Sequence, residues 1–555
     1  MIKYAEYFAT RLRDLITPQS QPIPGTTQVP NTAGGFAWAV DCWVRLDRFL
    51  ILGSEGGTYY VEERKLTREN AAAVLEAVIV DGPRVVRRIV EVSGSGRAPK
   101  NDPALFALAI AAGLGNAETR TAALAALPSV ARTATHLFHW IEYVQAFRGW
   151  GRGVRHAVAS WYTAKPASEL AYQMLKYPSR DGWAHRDALR LAHPKAPSPA
   201  HDVLFEYAVH GWEKMKPRGS VAMAPADRNA LRLLETVRML RGETPALAAN
   251  MIRTHGLVRE MVPTELLTSP EVWEALLEQM PLTAMLRNLG VMTKVGLLAT
   301  GAPAARLVRE RLGDRAALRR ARIHPLAVLA AFKTYAQGQG MRGQGTWKPV
   351  PSVVDALDAA FYLAFENTPG TGKQVMLALD VSGSMAAGVH GLPFLSCREA
   401  SAAMALVTAA TEPEHRFTAF AAPSFLGRFS PFASGLAELA ISPRQRLDDV
   451  VRLTSKLPFG GTDCALPMLE ALKHRWPVDV FVIYTDNETW AGEIHPAQAL
   501  RRYRERLGIA AKLVVVAMAS NGFSIADPND AGMLDVVGFD SATPALIAQF
   551  VGEGP

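Results

Sequence analysis

The chain has 555 residues, 49% of them hydrophobic and 20% charged. That length exceeds one ordinary domain, so two or more packed units are expected, and the composition excludes a disordered chain. The formal net charge of +8 is unevenly spread: residues 1–365 carry 45 Lys and Arg against 32 Asp and Glu, a net of +13, and residues 366–555 carry 15 against 20, a net of −5. A basic larger part points to a polyanion partner, with a generally Arg-rich composition as the competing reading. The three cysteines, Cys42, Cys397 and Cys464, show no metal-ligand spacing and no disulfide framework, which fits a reducing, cytoplasmic setting. The N-terminus lacks the apolar core of a signal peptide, and no window approaches the roughly 20 apolar residues of a membrane span, so no membrane partner is expected.

In chain order, residues 20–35 (SQPIPGTTQVPNTAGG) read as a loop rich in Pro, Gly and Thr. The run FAWAVDCWVRLDRFLILGSEGGTYYVEE then reads as a β-hairpin turning at residues 53–57. Thr67 is placed to cap a following helix, with Glu69 in its first turn. From about 70 to 365, apolar helical faces recur between Pro and Gly breaks, among them DPALFALAIAAGL, THLFHWIEYVQAF, EVWEALLEQM and IHPLAVLAAFKTYAQG. Helical pairs of roughly 40 residues without a strict repeat suggest a HEAT-like array.

After about residue 366 the texture changes. VMLALDV, RFTAFA, VDVFVIYTD and AKLVVVAMAS alternate with helical segments. Unbroken apolar runs of this length mark strands covered on both faces, as in an open doubly wound, mostly parallel α/β sheet. Ligands of such sheets sit at the carboxyl ends of strands. The expected division is therefore residues 1–365, helical, and residues 366–555, α/β.

A split set of oxygen-bearing residues lies at those strand ends. Asp380, Ser382 and Ser384 close the run VMLALDVSGSM. Thr462 and Asp463 follow in GGTDCALPM, and Asp486 in FVIYTDNETW. Two of these carboxylates, Asp380 and Asp486, and three hydroxyls (Ser382, Ser384 and Thr462) form a hard-oxygen set, suited to Mg²⁺ or another divalent cation and poorly to zinc or copper. A vacant coordination position on such an ion could take a partner's carboxylate. The clustered carboxylates of a two-metal nuclease are missing. The stretch PGTGK from Pro369 to Lys373 resembles a phosphate loop but lacks its first glycine, has Gln374 where a metal-binding hydroxyl belongs, and precedes a strand. Nucleotide hydrolysis is excluded on those grounds.

The densest basic stretch of the first part supplies Arg152, Arg155, His156, Lys176, Arg180, His185, Arg186, Arg190 and His193, against Asp181 and Asp187. A helix opening near Gly182 would carry His185, Arg186, Arg190 and His193 at helical spacing. Lys176 and Arg180 stand before it, where cations near a helix N-terminus call for an anion such as a phosphate backbone. Tyr177 and Trp183 could stack bases or belong to the core. A solvated helix face is the competing reading for each Arg, and core hydrogen bonding for each His.

Two resemblances follow from these residues. The loops bearing Asp380, Ser382, Ser384, Thr462 and Asp486 resemble the metal-ion-dependent adhesion site of von Willebrand A domains, which leaves Asp463 as an extra carboxylate outside the ligand set. The stretches YQMLKYPSRDGWAHRDALRLAHPK, MPLTAMLRNLG, RIHPLAVLAAFKTYAQGQG, GGTDCALPM, TDNETWAG and SNGFSIADPND, in this order, resemble the Ro autoantigen (TROVE) family from about residue 30 to 550. That resemblance implies a ring of HEAT-like helical repeats closed by a von Willebrand A domain. It implies a noncatalytic RNA-binding protein that holds a small Y RNA on its outer surface, accepts single-stranded 3′ ends of misfolded RNA in a central hole, and reaches polynucleotide phosphorylase through the RNA. By the same resemblance Lys176, Arg180 and His193 are outer RNA-contacting positions. DNA is not an expected partner, and a ring closed by its own chain would be a monomer. A metal-dependent protein-interaction scaffold, acting through the α/β part, is the alternative.

Overall fold

The computed structural model describes residues 16–52, 72–95, 98, 100–212, 225–321, 323, 325–340, 345–364, 371–389, 392–422, 435–457, 460–518, 522–537 and 543–552. The expected Thr67 cap and the turn at 53–57 lie outside these residues.

The first described part is helical. Its helices start where side chains can satisfy their open N–H groups: Asn116, Thr133, Ser198, Thr244 and Asp314 each accept from a first-turn amide. Such caps contribute about 1 kcal/mol each. Proline occupies the first turn of others, as at Pro103, Pro270, Pro303 and Pro351, where its missing N–H removes no helical bond. The helix Asp102–Leu114 is buried over ten consecutive residues from Pro103 to Ala112. It is apolar all round because neighbours cover it on several sides: Ala72–Ser95, Ala117–Val130 and Ala134–Phe147 all pack against it. Within Ala72–Ser95, Asp81 (φ −154°, ψ 85°) breaks the helix ahead of Pro83, and its carboxylate accepts from the Arg84 amide at 2.9 Å, restarting the ladder.

One expectation is overturned. Phe36–Ala39 is a strand, but Cys42–Leu52 is an α-helix and not the arm of a hairpin. Leu46, Phe49 and Leu50 fall at helical spacing, and all three are fully buried.

The second part carries the expected sheet. Its six strands are β5 (Val375–Asp380), β8 (His415–Phe420), β9 (Leu436–Glu438), β10 (Val480–Thr485), β11 (Lys512–Ala517) and β13 (Met533–Val537), the intervening β6 and β7 (Gly388–Val389 and Leu392–Ser396) forming a separate ribbon. They lie in the order β13-β11-β10-β5-β8-β9, all pairs parallel except β8 with β9. Alternate residues enter opposite layers. Met376, Ala378, Phe481 and Ile483 pack with Met468 and Leu500 on one side. Leu377, Leu379, Val482 and Tyr484 pack with Ala403 and Val450 on the other, in a core that continues into the helical part as far back as Leu240. From β5 the chain moves to β8 on one side and later returns to β10 on the other. The switch point of the sheet therefore falls between β5 and β10, where such sheets open a crevice.

Both ends of the helical part meet the sheet domain. Strand β2 (Phe36–Ala39) pairs with β1 (Gln28–Pro30) on one side and β12 (Phe523–Ser524) on the other. The fully buried Arg48 donates to both carboxylate oxygens of Asp535 at 2.8 Å and to the Phe523 carbonyl at 2.8 Å. At the other end, Lys333 pairs with Glu399 at 2.8 Å and Asp355 with Arg446 at 2.7 Å. The chain thus closes on itself. No helix among the described residues is long and apolar enough to cross a membrane.

Candidate functional site

Two constellations stand out. The first is basic and belongs to the helical part. Helix Ala167–Lys176 ends at Tyr177 and is followed by a hairpin of β3 (Ser179–Arg180) and β4 (Trp183–Ala184), then by helix His185–Ala192. Asp181 (φ 52°) and Gly182 (φ 79°) make its two-residue turn, both with positive φ, the turn that suits the twist of paired strands. The hairpin is fastened from behind: the Asp181 carboxylate bonds Nδ1 of His139, and Nε1 of Trp183 donates to Glu142 at 2.9 Å. Arg180 is thereby held beside the tip of a tethered hairpin, exposed to solvent.

Lys176 is half-buried. Its Nζ donates to the Tyr172 hydroxyl at 3.1 Å and sits 5.2 Å from the ring centroids of both Tyr172 and Tyr177, so the ammonium has a fixed place. Arg186 and Arg190 are exposed one turn apart on helix His185–Ala192, and His193 is exposed just beyond it, in the left-handed conformation that ends the helix (φ 47°). Arg152, Arg155 and His156 share one exposed face of the neighbouring helix Arg152–Thr163, which packs against His185–Ala192. Among the described residues, Arg180 and Arg186 form ion pairs only with their sequence neighbours Asp181 and Asp187, at 3.6 and 3.3 Å. Pairs this exposed hold a cation weakly and leave it available to a phosphate.

His185 does not belong with them. It is buried, its Nε2 donating to the Tyr177 carbonyl (3.0 Å), which leaves Nδ1 to accept from the Tyr162 hydroxyl (2.9 Å). Burial lowers its pKa to about 4, so it is neutral near pH 7 and out of reach of a phosphate. The helix opens at His185, three residues later than expected, and this first residue faces inward. Trp183 is partly buried and tilted against Trp150 at 5.7 Å between centroids.

The second constellation lies at the switch point. Asp380 ends β5 and Asp486 follows β10. The carboxylate of Asp380 accepts from the Ser382 amide at 2.8 Å and from the Thr485 hydroxyl at 2.6 Å. The hydroxyls of Ser382 and Ser384 are 3.0 Å apart, and Ser384 also hydrogen-bonds Asp486. Thr462 is carried in by a neighbouring loop, its carbonyl accepting from Trp490 and Ala491 at 3.1 and 3.0 Å. Its hydroxyl is buried and has no hydrogen-bond partner among the described residues. Four of the five expected residues are joined here by hydrogen bonds or charge, and the loop of the fifth, Thr462, adjoins them where the Gly460 carbonyl accepts from the Gly383 amide at 3.4 Å. Burial pushes both carboxyls above the usual carboxylate range, and for Asp486 the charge of Asp380 adds to it. Two crowded buried carboxylates and three hydroxyls, one of them unsatisfied, are a donor set that fits a hard divalent cation, whose charge would favour the ionised carboxylates.

Asp463 turns elsewhere. Its carboxylate accepts from the Gln19 side chain at 2.7 Å and the Ala465 amide at 3.0 Å. Burial pushes its pKa up to about 6.

Two supports escape sequence reasoning. Arg398, buried under the loop, donates to the carbonyls of Val381, Ser382, Thr454 and Leu457. The N-terminal segment lies against the rim: Gln19 also accepts from Thr489, Asn31 donates to the Thr489 carbonyl at 2.6 Å, and Thr32 bonds Glu488. A Cβ at Gly35 would sit 2.0 Å from the Thr489 carbonyl oxygen, so only glycine permits this approach. Residues 20–35 read as a loop, but nothing local pointed to residues more than 450 positions away.

Comparison with known proteins agrees with this architecture. Residues 29–334 match the TROVE domain model and residues 374–551 the Ro60 vWA domain model. The RNA-binding protein RO60 of Deinococcus radiodurans is 44% identical over 543 residues, covering 97% of this chain and 98% of that protein. The RNA-binding protein RO60 of Caenorhabditis elegans is 40% identical over 593 residues, covering 94% and 90%. The crystal structure of the Deinococcus radiodurans Ro (RSR) protein superposes with a TM-score of 0.69 at 43% identity, covering 92% of this chain and 99% of that one. With both domain models matched in order and full-length relatives at this identity, the chain belongs to the Ro60 family of TROVE proteins.

Proposed function

We propose that this protein is a noncatalytic, cytoplasmic RNA-binding protein that forms a ribonucleoprotein with a small Y-like noncoding RNA. In this reading it also receives single-stranded 3′ ends of misfolded RNA in a central hole, for quality control and degradation, and the bound RNA links it to polynucleotide phosphorylase. The observation that carries the RNA reading is the placement of Lys176, Arg180, Arg186, Arg190 and His193. Arg180, Arg186, Arg190 and His193 are carried by a tethered hairpin and a short helix and face solvent, Lys176 sits half-buried beside them, and no carboxylate among the described residues holds them strongly. Arg152 and Arg155 extend the patch. Both relatives are named as RNA-binding proteins, which points the same way.

Cations so placed neutralise phosphates and release counterions, so affinity falls steeply as salt rises. An RNA body resting on such a surface is recognised by shape and backbone more than by base edges. The test is equilibrium binding, over a salt series, of a structured RNA with a single-stranded 3′ tail and of the same body made blunt. Tighter binding of the tailed RNA with a steep slope is expected. Binding of neither above nonspecific levels would remove the RNA reading.

The switch-point loops favour a second, compatible role. Asp380, Ser382, Ser384, Thr462 and Asp486 would hold Mg²⁺ or another divalent cation, directly or through water, and the ion would offer a position to a partner's Asp or Glu. The buried, unpartnered Thr462 hydroxyl favours this assignment. Loss of a protein partner on Ser384→Ala or chelation, with RNA binding intact, would make the interaction scaffold the chief role.

A further inference from the structure

Beside Lys176 lies a cleft of about 330 Å³, between the end of helix Ala167–Lys176, the turn 256–260 and the start of helix Leu282–Lys294. Its volume is that of a small-molecule site and matches one nucleotide better than a helix or a strand. One wall is Tyr172, Lys176 and Tyr177, with the ammonium held over both phenol rings. The other carries Arg259 and Arg287, both exposed and without an ion pair among the described residues. Glu260 is the one carboxylate in the lining, so the cleft keeps a net positive charge.

The walls are fixed in place. Gln279 donates to the carbonyls of Ile252 and Leu257 at 2.7 and 3.4 Å, which pins the turn. Arg311 donates to the carbonyls of Leu277 and Met280, which pins the floor. A cleft held open this way loses little entropy on filling.

Resting on the RNA-binding reading above, we infer that this cleft takes one unpaired nucleotide of the bound RNA. Its base lies against the Tyr172 and Tyr177 wall, and its phosphates face Lys176, Arg259 and Arg287. Aromatic surface next to converging cations is how proteins hold single-stranded nucleic acid without reading sequence. A paired base could not enter a recess of this size. The cleft therefore distinguishes an unpaired stretch from a duplex, whereas the exposed arginines of the hairpin and helix do not.

The experiment uses the full chain and a single-stranded RNA dodecamer carrying 4-thiouridine, cross-linked by ultraviolet light and mapped by mass spectrometry. In parallel, the Arg259→Ala/Arg287→Ala variant is titrated with the unmodified dodecamer and with a blunt duplex over a salt series. Neither arginine supports the fold, so thermal stability should not change. Expected are cross-links to the peptide bearing Tyr172 and Tyr177, and a single-strand salt slope lower by about 0.7 for each cation removed, roughly 1.4 in all. Duplex binding should keep its slope. If wild type binds the dodecamer but the variant's slope is unchanged, or the cross-links fall elsewhere, the cleft is overturned while the RNA reading stands. Equal loss on the duplex, or competition by polyglutamate as strong as by RNA, would also overturn it, leaving a general basic patch or an acidic protein ligand. Failure of wild type to bind either RNA removes both readings.

Discussion

The basic patch and the switch-point loops use charge in opposite ways. Around Lys176 the cations stand outside the core: Arg152, Arg155, Arg180, Arg186 and Arg190 are all exposed, and the fold only has to place them. At the strand ends, Asp380 and Asp486 are 0% and 2% exposed, and Ser382, Ser384 and Thr462 are buried beside them. There the fold must also offset the cost of burying charge. The first site should therefore answer to salt and hardly affect stability. The second should answer to cations and affect stability strongly.

The largest expected effect separates the two at once. Arg398→Met leaves the carbonyls under the switch-point loop without their donor, which should destabilise the protein by at least about 3 kcal/mol. A clear fall in Tm is expected, with RNA affinity of the folded protein unchanged. An unchanged Tm would mean that the loop is held by other contacts.

Next comes pH, which should act on the helical part through His185. Its folded pKa, about 4, lies below the ordinary value of 6.5. The unfolded chain therefore binds the extra proton between these values. Stability is fully present above about 6.5 and is lost as pH falls towards 4, by roughly 3 kcal/mol in all. Thermal unfolding should show about 2 kcal/mol of this loss between pH 7 and pH 5, and His185→Gln should make the dependence shallower, leaving the share of His136, whose pKa burial also lowers to about 4. A dependence of equal steepness in the variant would place the responsible proton elsewhere.

Smaller again is the response to cation. If the switch-point loops bind Mg²⁺, saturating it a hundredfold should stabilise wild type by about 2.7 kcal/mol, and Ser384→Ala should lose most of the Tm rise. A rise of equal size in both proteins would argue against coordination by this hydroxyl. The smallest effect is on the patch: Arg190→Ala should change stability by less than about 0.5 kcal/mol and lower the RNA salt slope by about one.

What could be read in the sequence divides along the same physical line. Asp380, Ser382, Ser384 and Asp486 could be found because they follow unbroken apolar runs, and parallel strands bring their carboxyl ends together whatever the loops between them do, whereas Thr462 directly follows no strand among the described residues and could be found only through the GGTD stretch. The cations of the patch were visible as composition, but their burial was not. His185 and Arg186 are neighbours at the start of one helix, and only the packing of Tyr162 and Phe138 around the imidazole decides which faces inward. Cys42–Leu52 looked like a strand because aromatic and aliphatic residues crowd it ahead of a Gly-rich turn. Its burial at Leu46, Phe49 and Leu50 follows the helical period instead. Gln19, Arg398 and the cleft beside Lys176 depend on contacts between distant segments, for which local pattern carries no signal.

The most direct measurement is the salt dependence of binding a structured RNA by wild type and by Lys176→Ala/Arg180→Ala. Each phosphate contact removed should lower the slope by about 0.9, so the double variant should bind more weakly with a slope lower by about two. An unchanged slope and affinity would take the hairpin out of the RNA interface and contradict the assignment of this face.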